Sequence, residues 1–324
     1  MSLIYLAPME GVVDYTLRDI LTASGNVDHC VTEFIRVSER LLPISVFYRM
    51  MPELHHGGKT HSGVPVFAQL LGSEPSVLAE NAARVVELGA PGVDLNFGCP
   101  AKTVNKSRGG AVLLKEPELI HSIVSAVREA IPSSIPVTAK MRLGYFDKSL
   151  AIENAQAIES AGASTLTIHA RTKEEGYKPP AHWEWIAKIR DHVSLHLVAN
   201  GEVWTPEDYH RCRQVSGCAD VMIGRGMLAN PFLADQIKQG QDVSAASDEQ
   251  WIALIPMLER YHQQVIDDLS ERHVHGRIKQ WLSMLKLGYP QASRLFDRIR
   301  SERDPLSIME TIRAEREHYS VPAE

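Results

Sequence analysis

Apolar positions along the chain fall into two alternating registers. Short runs rich in β-branched residues occupy 4–8, 29–32, 65–70, 93–96, 136–141, 165–169, 195–200 and 220–223, as expected of strands buried on both faces. Between them the period is helical. Val77, Leu78, Ala82, Val85 and Val86 repeat behind Ser73, and Thr205-Pro206-Glu207-Asp208 reads as a capping-box start with proline at the first helical position. Strands separated by helices predict βα units around a parallel sheet. Eight units before residue 240 fit a (β/α)8 TIM barrel, a fold of about 250 residues, although a doubly wound sheet has similar periodicity. The polar residues decide between them. Met9-Glu10, Glu33, Gln69, Asn96, Lys140, Arg142, His169, Arg171, Asn200, Glu202 and Gly224-Arg225 all fall at the C-terminal ends of runs. A barrel gathers those ends on one face, where an open sheet would spread them.

After Phe232 the strand-like runs stop. Residues 239–242 read as a linker, and helical patterning over 251–269, 272–287, 291–300 and 305–318 predicts a small bundle. The expected organisation is therefore a barrel over 1–240 followed by a helical unit over 246–324. No internal repeat or low-complexity tract interrupts it.

Composition adds a charge asymmetry. The 324 residues carry 34 Lys+Arg against 40 Asp+Glu, a formal charge of −6. From Arg272 to Arg300, however, seven basic residues face a single acid, Asp297. A basic stretch on an acidic chain reads either as a solvated helix face or as a polyanion footprint. The apolar run from Leu3 to Met9 is short and broken by Pro8 and Glu10, so no signal peptide or membrane span is expected, and a cytoplasmic location is. Cys30, Cys99, Cys212 and Cys218 make neither a disulfide framework nor a C-x-x-C zinc pair. His55, His56 and His61 sit irregularly about Gly57-Gly58 and read as an exposed loop, so no metal is expected. His273 and His275 read as surface residues.

Two features carry chemistry. Asn200-Gly201-Glu202 and Gly224-Arg225-Gly226 follow the last two runs, where barrels often hold a phosphate: glycine lets backbone N–H groups approach an anion, and arginine can fork onto it. Gly224 to Ala229 also loosely matches a dinucleotide fingerprint, but it follows the last strand instead of opening a first βαβ unit, so that reading is rejected. The second feature is Val93-Asp94-Leu95-Asn96-Phe97-Gly98-Cys99-Pro100-Ala101-Lys102-Thr103-Val104. It puts a thiol in a stiff loop at the barrel mouth, and with an ordinary pKa near ~8.5 that thiol can donate a proton or attack.

That run, continuing through Asn105 to Gly109-Gly110-Ala111, resembles the signature of the tRNA-dihydrouridine synthases. So do Ala7-Pro8-Met9-Glu10-Gly11, Ala139-Lys140-Met141-Arg142-Leu143-Gly144, Ile168-His169-Ala170-Arg171-Thr172, Ala199-Asn200-Gly201-Glu202 and Met222-Ile223-Gly224-Arg225-Gly226. The motifs cover nearly the whole chain in the right order. The segments 4–33 and 276–283 look most like the bacterial branch that modifies position 16 of the tRNA D-loop. Phe97 is bulkier than the residue often found there, and Lys106 and Arg108 replace glycines of near relatives.

The resemblance implies an FMN-dependent, NADPH-driven enzyme that reduces uridine to 5,6-dihydrouridine, with hydride delivered to C6 and a proton from Cys99 to C5. It implies FMN contacts from Ala7, Pro8, Met9, Gln69, Lys140, His169, Asn200, Gly201, Glu202, Gly224 and Arg225. It assigns tRNA contacts to Arg36, Asn96, Arg142, Tyr177, Arg277, Lys279 and Arg300. A base inside folded tRNA must leave its stack to reach such a pocket. The resemblance implies tRNA as the partner, and a monomer is expected. Two other readings stay open: a flavin-dependent reductase of free pyrimidines, and a non-catalytic tRNA-binding barrel.

Overall fold

The computed structural model of the protein describes residues 2–241, 247–268 and 271–320. Linker residue Asp242, the boundary at 246, the expected helix end at 269 and the side chains of Arg272 and His273 lie outside the described residues. The described strands are β1 (Ile4–Leu6), β2 (His29–Val31), β3 (Ile35–Arg36), β4 (Val66–Leu71), β5 (Val93–Phe97), β6 (Val137–Arg142), β7 (Thr165–His169), β8 (His196–Asn200) and β9 (Asp220–Ile223). All pairings among them are parallel. β1 lies between β2 and β9, β2 pairs with β4, and β4 through β9 follow in chain order, so eight strands close into a TIM barrel. Leu6 stands opposite Cys30 and Ile223, and Cys30 opposite Val66.

All eight runs read from the sequence are strands. β3 is additional: after a break at Thr32-Glu33-Phe34 it pairs Ile35 with Leu70 beside β4. A two-residue strand has no period to read. The intervening helices start as the sequence dictates. Pro75, Pro117 and Pro206 each open one, and Thr205 and Asp208 form a reciprocal capping box. Leu78, Ala82 and Val85 bury one face of the helix Pro75–Glu87.

Inside the barrel, Ala7, Val31, Val198 and Met222 form a small apolar cluster. Gln69, Asp94 and Thr167 are also buried and polar, and such groups are tolerated in a core only when bonded. The later helices, Asp248–Asp268, Glu271–Leu285, Pro290–Ile299 and Pro305–Ser320, form a bundle around Trp251, Tyr261, Trp281 and Tyr289. It is fastened to the barrel. Trp281 Nε1 donates to the Leu228 carbonyl at 3.3 Å, and Tyr289 Oη donates to Asn230 Oδ1 at 3.2 Å. Arg260 pairs with Asp19, and Arg277 donates to the Gly11 carbonyl at 2.7 Å and pairs with Asp14. No helix among the described residues is long and apolar enough to cross a membrane, and none of their side chains form a cluster suited to a metal.

Candidate active site

The C-terminal ends of β1, β6, β7, β8 and β9 surround a cavity at the barrel mouth. Ala7, Pro8, Met9, Lys140, His169, Asn200, Gly201, Glu202, Gly224 and Arg225 line it. Backbone proximity explains the glycines. A Cβ on Gly226 would lie 2.1 Å from the Val203 carbonyl oxygen, and one on Gly201, whose φ is +118°, would lie 3.0 Å from the His169 ring. Glu202 itself has φ +59°, an uncommon conformation for a residue with a side chain. Its carboxylate holds that turn, pairing with Arg171 and accepting from Trp204 Nε1 at 2.8 Å, with Arg225 at 3.7 Å.

Lys140 and Arg225 line this cavity with Glu202 as its one carboxylate, and Arg142 and Arg171 lie close by. Lys140 Nζ donates to Asn200 Oδ1 at 3.0 Å, and burial with Arg142 nearby pulls its pKa down to about 8, opposed by Asp94. Burial and the cations Arg142, Lys140, Arg171 and Arg225 hold His169 well below its ordinary range, so it is neutral. Burial, Arg225 and Arg142 pull Arg171 down to about 10, and its Nη1 is buried without a partner among the described residues. A wall that carries Lys140, Arg225 and the glycine loops at Gly201 and Gly224 is what an anionic ligand would complete. The donor set fits a phosphorylated cofactor.

A second cleft opens beside this cavity and shares Pro8, Met9, Lys140, His169, Tyr177 and Arg225 with it. Cys99 sits in its wall. The loop carrying that thiol is fixed from three sides. Asn96 Oδ1 accepts from the Gly98 and Cys99 N–H groups at 3.0 and 2.8 Å, Asn105 Nδ2 donates to the Cys99 carbonyl at 3.0 Å, and so does Ala111 N at 3.1 Å. Gly110, with φ +67°, leaves the room: a Cβ there would be 2.8 Å from the Cys99 carbonyl oxygen. Burial first, then Glu10, pushes the Cys99 thiol above its ordinary pKa, so it keeps its proton at neutral pH. Glu10 lines the same cleft, and burial with Glu33 pushes its own pKa up to about 7.

The structure gathers all the cofactor candidates, with Gln69 in the second cleft. It gives several of the RNA candidates internal partners. Arg142 is buried and donates to the Gly98, Thr172 and Gly176 carbonyls, each at 2.9 Å. Asn96 donates to Gln69 Oε1 at 2.7 Å besides holding the Cys99 loop. Tyr177 is 53% exposed, with the guanidiniums of Arg142 and Arg225 about 5 Å from its ring. Arg36 and Arg300 are exposed. Arg277 is committed to Gly11 and Asp14, and Lys279 to the carbonyls of Arg300 and Glu302.

Sequence reasoning missed several wall residues, among them Phe34, Trp204 and Met284. Trp204 was within reach, because it lies two residues after the first phosphate-type loop, Asn200-Gly201-Glu202. Met284 gives no sequence signal, since a methionine on a helix face reads as core.

The fold and site together define a TIM-barrel enzyme with an anion-accepting cofactor seat next to a protonated thiol. A family model described as "Dihydrouridine synthase (Dus)" matches residues 5–314. The chain belongs to the dihydrouridine synthase family. It is 56% identical over 301 residues to a tRNA-dihydrouridine(16) synthase of Pseudomonas putida, covering 93% of each chain. It is 52% identical to one of Ralstonia nicotianae over 96% of this chain and 95% of that one. With one of Shewanella oneidensis the identity is 50%, over 98% and 99%. Among solved structures it resembles a 2-naphthoyl-CoA reductase (TM-score 0.56, 12% identity, 74% of this chain, 50% of that one). Histamine dehydrogenase from Rhizobium sp. 4-9 is similar too (TM-score 0.54, 15% identity, 80% and 48%). These two likenesses are of fold.

Proposed function

We propose that this protein reduces uridine to 5,6-dihydrouridine at position 16 of the tRNA D-loop, using FMN and NADPH. The observation that carries the reading is the junction of two cavities: a cationic cofactor seat opens directly into a cleft walled by a protonated Cys99. The relatives' names supply the substrate and the position.

Ala7, Pro8 and Met9 would line the flavin, Gln69, Lys140 and His169 would face its ring system, and the loops at Asn200–Glu202 and Gly224–Arg225 would hold ribityl and phosphate. When bound, FMN supplies the hydride that goes to C6 of the base. Lys140 holds positive charge beside the ring, where anionic reduced flavin would benefit. Cys99 gives its proton to C5, and the S–H bond breaks as the C–H bond forms. Arg142 and Arg36, which favour the thiolate electrostatically, stabilise the sulfur until water reprotonates it. Two donors preorganised about one base supply the orientation such a step requires.

The base would enter flipped out, between Tyr177 and the Cys99 loop, with Asn96 and Arg142 lining its edge. Arg36 and Arg300 offer exposed cations to the tRNA backbone, so binding weakens with salt. We place the enzyme in the cytoplasm as a monomer of two units, 1–240 and 246–324. The test is threefold: flavin released from the purified protein, NADPH oxidation that needs tRNA and ignores free uracil, and dihydrouridine mapping in a strain lacking the gene. Absence of flavin, turnover with free uracil, or an intact position 16 in that strain overturns the reading.

A further inference from the structure

Asp94 lies inside the barrel, 3% exposed, on the strand that leads into the Cys99 loop. Its carboxylate accepts from Thr138 Oγ1 at 2.5 Å and from Gln69 Nε2 at 2.7 Å. Gln69 Oε1 in turn accepts from Asn96 Nδ2 at 2.7 Å, and Asn96 Oδ1 accepts from the N–H groups of Gly98 and Cys99. We infer that Asp94 is a positioning residue for Cys99, acting through a directed chain of hydrogen bonds that runs Asp94, Gln69, Asn96, Cys99.

The direction follows from both ends. A carboxylate can only accept, so Gln69 must turn its NH2 toward Asp94 and its oxygen toward Asn96. Backbone N–H groups can only donate, so Asn96 must turn its oxygen toward the Cys99 loop and its NH2 toward Gln69. Each amide would otherwise be free to flip. Fixed at both ends, they have one arrangement, and that arrangement holds the loop on which the thiol sits. Removing the acceptor at the start leaves Gln69 Nε2 without its partner, and a flip of Gln69 then sets two NH2 groups against each other at Asn96. A misplacement of about 1 Å at a reacting group can cost on the order of 10²-fold in rate.

The inference rests on the proposed role of Cys99, so its primary test is independent of turnover. Cys30, Cys212 and Cys218 are buried and Cys99 alone is not, so iodoacetamide on the folded holoenzyme reports on Cys99. In Asp94→Ala the loosened loop exposes the thiol: alkylation at pH 8 should be at least fivefold faster, and the midpoint of its pH profile should move down. Single-turnover dihydrouridine formation should fall roughly 10- to 100-fold while flavin content stays the same. Asp94→Asn separates orientation from charge. Its Oδ1 can still accept from Gln69 while its NH2 faces Thr138, so alkylation and turnover should stay within about threefold of the parent.

Gln69→Leu cuts the chain one link further on and should give the same alkylation change, which keeps the test alive if Asp94→Ala does not fold. Parental alkylation in both broken variants overturns the inference, and so does an equal defect in Asp94→Asn and Asp94→Ala. A parent enzyme that makes no dihydrouridine but shows the alkylation pattern defeats the functional reading and leaves the chain of bonds standing.

Discussion

Arg277 lets two roles for one residue be told apart. Its neighbourhood is basic in sequence, yet its guanidinium donates to the Gly11 carbonyl at 2.7 Å and to Gln280 Oε1 at 3.2 Å, and pairs with Asp14. Asp14 also caps the helix Tyr15–Leu21, accepting from Leu17 N at 2.9 Å. The Arg277 side chain is only 19% exposed. Arg277→Met keeps most of the stem and removes the donors. A hydrogen bond to a charged group is worth about 1.5–3 kcal/mol, and two strong ones at a partly exposed site come to about 3 kcal/mol. At about 2–3 °C per kcal/mol for a chain of this size, the melting midpoint should fall by roughly 6–9 °C. Thermal melting of the holoenzyme, a double-mutant cycle with Asp14→Asn and tRNA binding across a salt series form the assay. Non-additivity above about 1 kcal/mol in the cycle identifies a clamp. A midpoint within 2 °C of the parent, together with a flattened salt slope for tRNA, would refute the clamp and leave Arg277 as a phosphate contact.

Three further outcomes follow from the site. Lys140 is charged only below about pH 8, so flavin affinity of the stripped protein should be highest below that pH and decline above it, as measured by fluorescence titration. Lys140→Met should bind about 10- to 100-fold more weakly at pH 7 with no inflection near pH 8; an inflection that survives the substitution assigns the titration elsewhere. Gly226→Ala would put a methyl 2.1 Å from the Val203 carbonyl, at a cost of roughly 1–3 kcal/mol. It should yield folded protein that loses flavin on gel filtration, and normal flavin content would sink that reasoning. Cys99→Ala should retain flavin and tRNA binding while single-turnover dihydrouridine formation falls by about 10²- to 10⁴-fold; an unimpaired rate removes the acid role.

The barrel was legible because its signals are local. β-branched runs and the polar residues ending them are each written within a few positions, and closure brings Lys140, His169, Asn200 and Arg225 to one mouth. What escaped was long-range. Counting charges between Arg272 and Arg300 cannot show that Arg277 meets Asp14, 263 positions away, or that Lys279 bonds to chain carbonyls. Asn96 and Arg142 stand near the ends of β5 and β6 and border the cleft, but the sequence does not say that Asn96 spends its oxygen on backbone N–H groups and Arg142 its donors on carbonyls. Met284 lines the cleft from a helix whose Trp281, one turn earlier, is bonded to the Leu228 carbonyl.

That methionine divides the molecule's labour unevenly. Every residue around the anion-accepting seat comes from the stretch up to Gly226. The neighbouring cleft borrows a side chain from position 284. On the proposed reading, exchanging the later helices for those of another family member would reshape the cleft beside Cys99 and leave the residues that line the cofactor seat in place.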